Sequence, residues 1–245
     1  MNADPATQLR LLDLQAADTA LAQLAHRRAS LPELAEIAER SRLAADLNNE
    51  VVDAQTAAAD IADEQQRLEA DVEVVRSRAQ RDEARLQAGG LPAKELESLQ
   101  HEIATLARRQ STLEDEVLET MERAEQAAAA LAGASSRLDA VKAELAELER
   151  RRDQAFAEID AAVAEKVPQR AEIATELPAD LLALYEKARA QSGHGAALLK
   201  QRRCDGCRIE LSGGELAGVR TAAPEAVVRC ENCRAILVRT AESGL

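Results

Sequence analysis

The sequence predicts a mainly α protein: a long antiparallel coiled-coil helical hairpin, then a short helix, then a small C-terminal β head stapled by a metal. Three observations predict it. Apolar residues recur at alternating intervals of four and three over most of residues 47–159, the mark of a heptad seam. One strong turn signal, Gly89-Gly90-Leu91-Pro92, divides that pattern into two runs of similar length. All four cysteines stand in two matched pairs, Cys204-Asp-Gly-Cys207 and Cys230-Glu-Asn-Cys233.

Composition supports helices over a conventional globe. The chain of 245 residues has one Phe, one Tyr and no Trp, whereas a packed core of that size draws much of its buried area from aromatics. Ala, Leu, Glu and Arg dominate, as in coiled coils and long helices. The net charge of −13 is uneven: residues 200–245 hold eight Lys/Arg against six Asp/Glu, a local +2, which leaves −15 on the rest. An acidic rod does not suit duplex DNA, whose affinity for proteins comes from neutralised phosphates, so any nucleic-acid contact has to be local. No run approaches the ~18 apolar residues of a membrane span. Met1-Asn-Ala-Asp4-Pro5 lacks the basic start and apolar run of a secretion signal. With cysteines set out as metal ligands, the expectation is a reduced, cytoplasmic protein.

The elements follow in order. Asp4-Pro5 opens the first helix, Asp as N-cap and Pro at the first helical position. Leu14, Ala17, Leu21, Leu24 and Leu31 continue it. Ser30-Leu-Pro-Glu33, a capping-box pattern containing Pro32, predicts a kink near 30–32. The first seam then runs Leu47, Val51, Ala54, Ala58, Ile61, Gln65, Leu68, Val72, Val75, Ala79, Asp82, Leu86. After the turn near 89–92 the second seam includes Leu96, Leu99, Ile103, Leu106, Gln110, Leu113, Val117, Thr120, Ala124, Leu131, Leu138, Val141, Leu148 and Ile159. It is expected to end near Val167-Pro168. Two such seams joined by one turn bury each other, and at 1.5 Å per residue ~75 residues make a rod of roughly 110 Å. The alanines of 54–59 and 124–130 predict thin packing there. Polar seam residues (Gln65, Asp82, Gln110, Thr120, Arg152) either fix register or sit where the seam drifts off axis. The predicted organisation is residues 1–168 as hairpin, 169–193 as connecting helix and 194–245 as head, with a hinge at Gly193–Gly195.

In the head, each CxxC turn aims two thiolates at one cation, and two such knuckles complete a closed tetrahedral Zn²⁺ site from Cys204, Cys207, Cys230 and Cys233. The 22 residues between knuckles slightly exceed the usual gap, which a loop insertion accounts for. A closed site leaves no position for substrate, so one structural Zn²⁺ is expected to hold a C4 zinc ribbon together. Redox use of the thiols is the competing reading, but oxidoreductase CxxC motifs come singly beside a βαβ pattern, which is absent. Three short strands are expected over 196–203, 226–229 and 235–240, with one helical turn in the loop at 213–218. His194 reads as a loop residue, and His26 and His101 as solvated or structural residues on helices.

The short helix Leu181-Leu182-Ala183-Leu184-Tyr185-Glu186, the knuckle Cys204-Asp-Gly-Cys207, and Cys230-Glu-Asn-Cys233-Arg-Ala-Ile-Leu237, behind a long helical hairpin, resemble the bacterial C4-type zinc ribbon domain family. Glu95-Leu-Glu-Ser-Leu-Gln-His-Glu-Ile103 is similar to that family's stretch beside the hairpin tip, and the Ala- and Arg-rich composition suggests an actinobacterial member. The resemblance implies a binding role, with RNA, DNA or protein partners in the transcription, translation or secretion machinery. In the family the second knuckle is usually followed by Gly-Arg; here Arg234-Ala235 follows, which puts in doubt a contact by a basic residue at 235.

These readings converge on a non-enzymatic zinc-binding adaptor or regulator that binds nucleic acid or protein through its ribbon. The competing reading is a coiled-coil scaffold, or chaperone-like protein, that binds proteins only. The sequence shows no phosphate loop, no nucleophile with an oriented base and no open metal site, so neither catalysis nor a small-molecule substrate is expected. Candidate ribbon contacts are Lys200, Arg202, Arg203, Arg208, Arg229 and Arg234, with Arg220 and Arg239 beside them. At the hairpin tip Arg76, Arg78, Arg81 and Arg85 are interspersed with acids, a pattern more typical of a salt-bridge-laced helix surface.

Overall fold

The computed structural model describes all 245 residues. Its elements are α1 (Pro5–Ala29), α2 (Pro32–Ala88), α3 (Ala93–Thr175), α4 (Ala179–Ser192), β1 (Ala196–Lys200), β2 (Arg203–Cys204), α5 (Gly213–Thr221), β3 (Val228–Arg229) and β4 (Ile236–Val238), then a 3-10 turn at Ala241–Ser243. The mainly α class stands, with the hairpin, the short helix and the small β head all present. By density of packing the chain divides into two units: Met1–Pro32 with Arg151–Leu245, and Glu33–Arg150. No helix is long and apolar enough to cross a membrane.

The hairpin unit is built as the periodicity predicts. Leu47 buries against Leu138 and Val141, and Val72 and Val75 against Leu106 and Leu113. The other seam positions of both helices are at least half-covered, except Leu96, which is exposed. No residue of α2 between Leu47 and Val72 is buried, so the alanine stretch is thin as expected. Gln65, Gln110 and Thr120 do not set register through hydrogen bonds between the helices. The Thr120 hydroxyl donates to the Glu116 carbonyl, and the Gln65 and Gln110 amides donate to Glu69 and Glu114 on their own helices. Register is held instead by the seam and by ion pairs across it, Arg40–Glu144, Arg123–Glu64 and Arg137–Glu50 among them. Gly89 and Gly90 both have positive φ, which makes the reversal between α2 and α3 inexpensive for glycine.

In the other unit, Asp4 caps α1 as expected, its carboxylate accepting from the Ala6 and Thr7 amides. Three expectations fail there. The Ser30 hydroxyl does not cap α2; it turns back and donates to the His26 carbonyl, closing α1. α3 does not end at Pro168 but continues to Thr175. Proline removes one helical hydrogen bond at a cost of about 3 kcal/mol. The turns beyond it recover that through tertiary contacts: Ile173 and Ala174 pack on the core, and Arg170 reaches Asp18. The connector is therefore α4 alone, from Ala179.

The third failure is the hinge. Gly195 is buried: its N–H donates to the Gln15 side chain at 2.7 Å, and its carbonyl accepts from Ile236. A Cβ at position 195 would lie 2.4 Å from the Tyr185 ring, so only glycine fits. Leu11 and Leu14 of α1, Leu181 and Tyr185 of α4, and Ala196, Ile236 and Val238 of the sheet form one core. The sheet has order β2-β1-β4-β3, with β1 and β4 parallel and the other pairs antiparallel. α5 is longer than one turn because Ser212 and Glu215 form a reciprocal capping box. Its Leu216 and Val219 join the cluster around Cys204 and Cys230.

Candidate metal centre

The two knuckles repeat one backbone circuit. In the first, the Arg208 amide donates to the Cys204 carbonyl at 2.7 Å and the Cys204 amide to the Ile209 carbonyl at 3.0 Å. In the second, the Arg234 amide donates to the Cys230 carbonyl at 3.0 Å and the Cys230 amide to the Ala235 carbonyl at 2.9 Å. β2 delivers Cys204, β3 leads into Cys230, and Cys233 lies ahead of β4. The circuits bring all four sulfurs within 4.8 Å of one another. Cys204 Sγ lies 3.7 Å from Cys233 Sγ, and Cys207 Sγ lies 3.8 Å from Cys230 Sγ. A tetrahedron with Zn–S bonds of about 2.3 Å has edges of about 3.8 Å. These spacings fit that tetrahedron and are far too long for disulfides.

Burial pushes the Cys204 thiol strongly upward, against N–H···S hydrogen bonds from Cys207 and Gly206. Cys233 is likewise raised by burial, opposed by the Ala235 amide. Cys207 also feels burial, but the Ile209 amide and the neighbouring thiols outweigh it and bring it below its ordinary value. A second set of knuckle amides, those of Gly206, Cys207, Ile209 and Ala235, is thus aimed at sulfur, where it favours thiolate. The donor set is one structural Zn²⁺ held by Cys204, Cys207, Cys230 and Cys233, and that ion supplies the cross-link a head with so little apolar core requires.

Residues 14–193 match the CT398-like coiled coil hairpin domain, and residues 203–237 match the C4-type zinc ribbon domain. The chain belongs to this hairpin and zinc-ribbon family. Within it, an uncharacterized protein of Mycobacterium tuberculosis is 40% identical over 239 residues, covering 98% of each chain. One from Mycobacterium leprae is 32% identical over 220 residues, 89% of this chain and 94% of its own. A solved Mycobacterium smegmatis protein superposes with TM-score 0.88 at 37% identity, covering 98% of this chain and all of that one. CT398 of Chlamydia trachomatis shares the fold, at TM-score 0.69 and 18% identity over 94% of this chain and 96% of its own. The family resemblance expected from the knuckles and from Leu181–Glu186 therefore holds, and so does its actinobacterial cast.

Around the zinc ribbon of this family member the candidate cations separate into two groups. Arg202, Arg203, Arg208 and Arg234 are exposed, and their side chains make no hydrogen bond or ion pair; Arg220 on α5 is the same. The others have internal work. Lys200 pairs with Glu242 at 3.1 Å. Arg229 Nε donates to the Arg234 carbonyl. Arg239 donates to five carbonyls, those of Val219, Ala222, Ala223, Pro224 and Ala226, tying off the end of α5. At the hairpin tip Arg76, Arg78 and Arg85 pair across the helices with Glu114, Glu102 and Glu95, and only Arg81 of that group lacks an acid.

Sequence reasoning missed the clamp that joins α1 to α3 and α4. Asp18, buried on α1, takes the Tyr185 hydroxyl at 2.7 Å, Arg170 Nε at 3.1 Å and Arg189 Nη1 at 3.3 Å. Burial, reinforced by that bond to Asp18, raises the Tyr185 phenol far above its usual value and keeps it a donor. Residues 1–3 were also missed: the Ala3 amide donates to Glu225 and the Met1 carbonyl accepts from Val227, adding a strip beside β3. One signal was in the sequence: Asp18 stands between the apolar positions Leu14, Ala17 and Leu21.

Proposed function

We propose that this zinc-binding coiled-coil protein is a non-catalytic, cytoplasmic adaptor whose ribbon docks a macromolecular partner. The observation that carries the reading is the contrast in arginine use. Cross-helix tip arginines are neutralised by glutamates, while four arginines around the knuckles are left without any internal acid. Four sulfurs fill a tetrahedral ion, so the centre offers no coordination position for chemistry on a substrate.

An acidic protein segment is the partner this surface suits best. Asp205, Glu210 and Glu231 are interleaved with the arginines and oppose a continuous phosphate backbone. The ribbon has no Phe, Tyr or Trp on which bases stack. Ile209, 48% exposed beside Arg208, offers an apolar contact. Nucleic acid is the second reading, favoured by the concentration of unpaired guanidiniums in an otherwise acidic chain. The test is cross-linking in cells with identification of bound protein and RNA, comparing the parent with Arg202→Ala/Arg203→Ala. A specific protein lost from the double variant supports the adaptor; an unchanged set of partners removes the ribbon from the interface. Binding that collapses steeply with added salt identifies nucleic acid.

A further inference from the structure

The residue that closes each knuckle circuit has a left-handed backbone, with φ of +62° at Arg208 and +65° at Arg234. Glycine adopts that conformation freely and asparagine tolerates it, whereas a long side chain is strained there. The chain places arginine at both equivalent positions, and a third at Arg202, φ +66°, entering the first knuckle. The knuckle circuit imposes the conformation, but it gives the arginine side chains themselves no partner. Neither the Arg208 nor the Arg234 side chain makes a hydrogen bond or ion pair, and both are exposed. Folding alone would favour glycine at both sites. Strain repeated at two matched positions, with no internal return, points to a return from outside the chain.

Resting on the adaptor reading, we infer that Arg208 and Arg234 are the recognition pair of the ribbon. Each follows a sulfur ligand of the same ion, so the site fixes the two backbone positions from which the guanidiniums extend. Both side chains are exposed beside the knuckles. Two planar forks presented this way receive two carboxylates of one acidic protein segment, each through paired N–H···O bonds. Ile209 beside the first fork covers an apolar side chain of the same segment. The acids Asp205 and Glu231 inside the knuckles select against a uniformly anionic ligand, since they repel what the arginines do not neutralise.

The experiment uses the zinc-loaded full chain, a fluorescein-labelled Glu-Leu-Glu-Leu-Glu peptide and a labelled oligouridine, read by anisotropy. Variants are Arg208→Gly, Arg234→Gly, Arg208→Asn and the control Arg220→Ala, which removes an exposed, unpaired charge from an ordinary helix. The parent is expected to bind the peptide. Each glycine variant then weakens it by roughly tenfold, as loss of a charged hydrogen-bonding group does, the asparagine variant does the same, and the control changes it by less than about twofold. At the same time the glycine variants retain zinc and melt at or above the parent's temperature, because strain is relieved. A purely structural role for these arginines gives the reverse, a lower melting temperature with unchanged binding, and overturns the inference. If the parent binds neither probe, the adaptor reading falls with it. If the parent binds the peptide and the glycine variants bind equally well, only the inference falls. Loss of oligouridine rather than peptide binding in the variants makes the partner a nucleic acid and overturns the choice of carboxylates.

Discussion

In the unit Glu33–Arg150, burial is rationed along two helices: Leu47, Val72 and Val75 on one, and residues such as Leu106, Leu113 and Leu138 on the other. In the unit of Met1–Pro32 with Arg151–Leu245, Leu11, Leu14, Leu181, Tyr185, Leu199 and Ile236 are at most 1% exposed. The first repeats one local rule, and a loss at one layer is diluted over the others. The second draws together segments from opposite ends of the chain, with a buried carboxylate and a metal at its joints. Stability in the hairpin is therefore distributed, and in the head it is concentrated in a few residues.

The largest expected effect tests whether the units depend on each other. Cys204→Ser should abolish stoichiometric zinc by metal analysis and unfold residues 196–240 by hydrogen exchange, since a structural site supplies on the order of 10 kcal/mol of folding free energy. Far-UV circular dichroism should keep most of its helical signal. Collapse of helicity in this variant would mean that the hairpin relies on the head. Zinc affinity carries a pH sign as well. Cys204 and Cys233 are raised by burial when metal-free, so each releases a proton on binding. Competition with a chelator should show affinity falling, by at least about a hundredfold, between roughly pH 8 and pH 6.

Next comes Asp18→Asn, which removes the buried one of the two carboxylates, Asp18 and Glu186, that Arg170 and Arg189 share. Breaking a buried pair costs about 3–5 kcal/mol, reduced to about 2–3 here because Arg189 is 41% exposed. Denaturant unfolding checks it; a loss below about 1 kcal/mol would mean the clamp is not concentrated as described. Gly133→Ala lies in the middle of α3 with open space around it, and should stabilise the hairpin by about 0.5–1 kcal/mol. The smallest effect is Arg137→Ala, whose pair with Glu50 is 62% and 52% exposed on its two sides, and about 0.5 kcal/mol or less is expected.

The same contrast explains what could be read from sequence. Val72, Val75, Leu106 and Leu113 were legible because a helix face is set by residues three and four apart, and the pattern repeats often enough to fix its phase. The zinc ligands were legible because two CxxC pairs with one spacing have few other uses. Gln15 and Gly195 were not legible as partners, because they are 180 residues apart and leave no periodic trace. Pro168 misled because the penalty is local and the compensation, through Ile173 and Arg170, is tertiary. The left-handed φ of Arg208 and Arg234 was hidden because the knuckle imposes it, against the preference of the residue.

The packing of α1 against β4 has a consequence for biosynthesis. Leu11 and Leu14 share a core with Ile236 and Val238. α1 must therefore wait until β4 has been made, on the order of ten seconds or more at about 5–20 residues per second. Until then Leu11 and Leu14 have only the partial cover that Leu181 and Tyr185 of α4 provide, and a holding chaperone, or the availability of zinc as β4 emerges, decides how many chains reach the finished head.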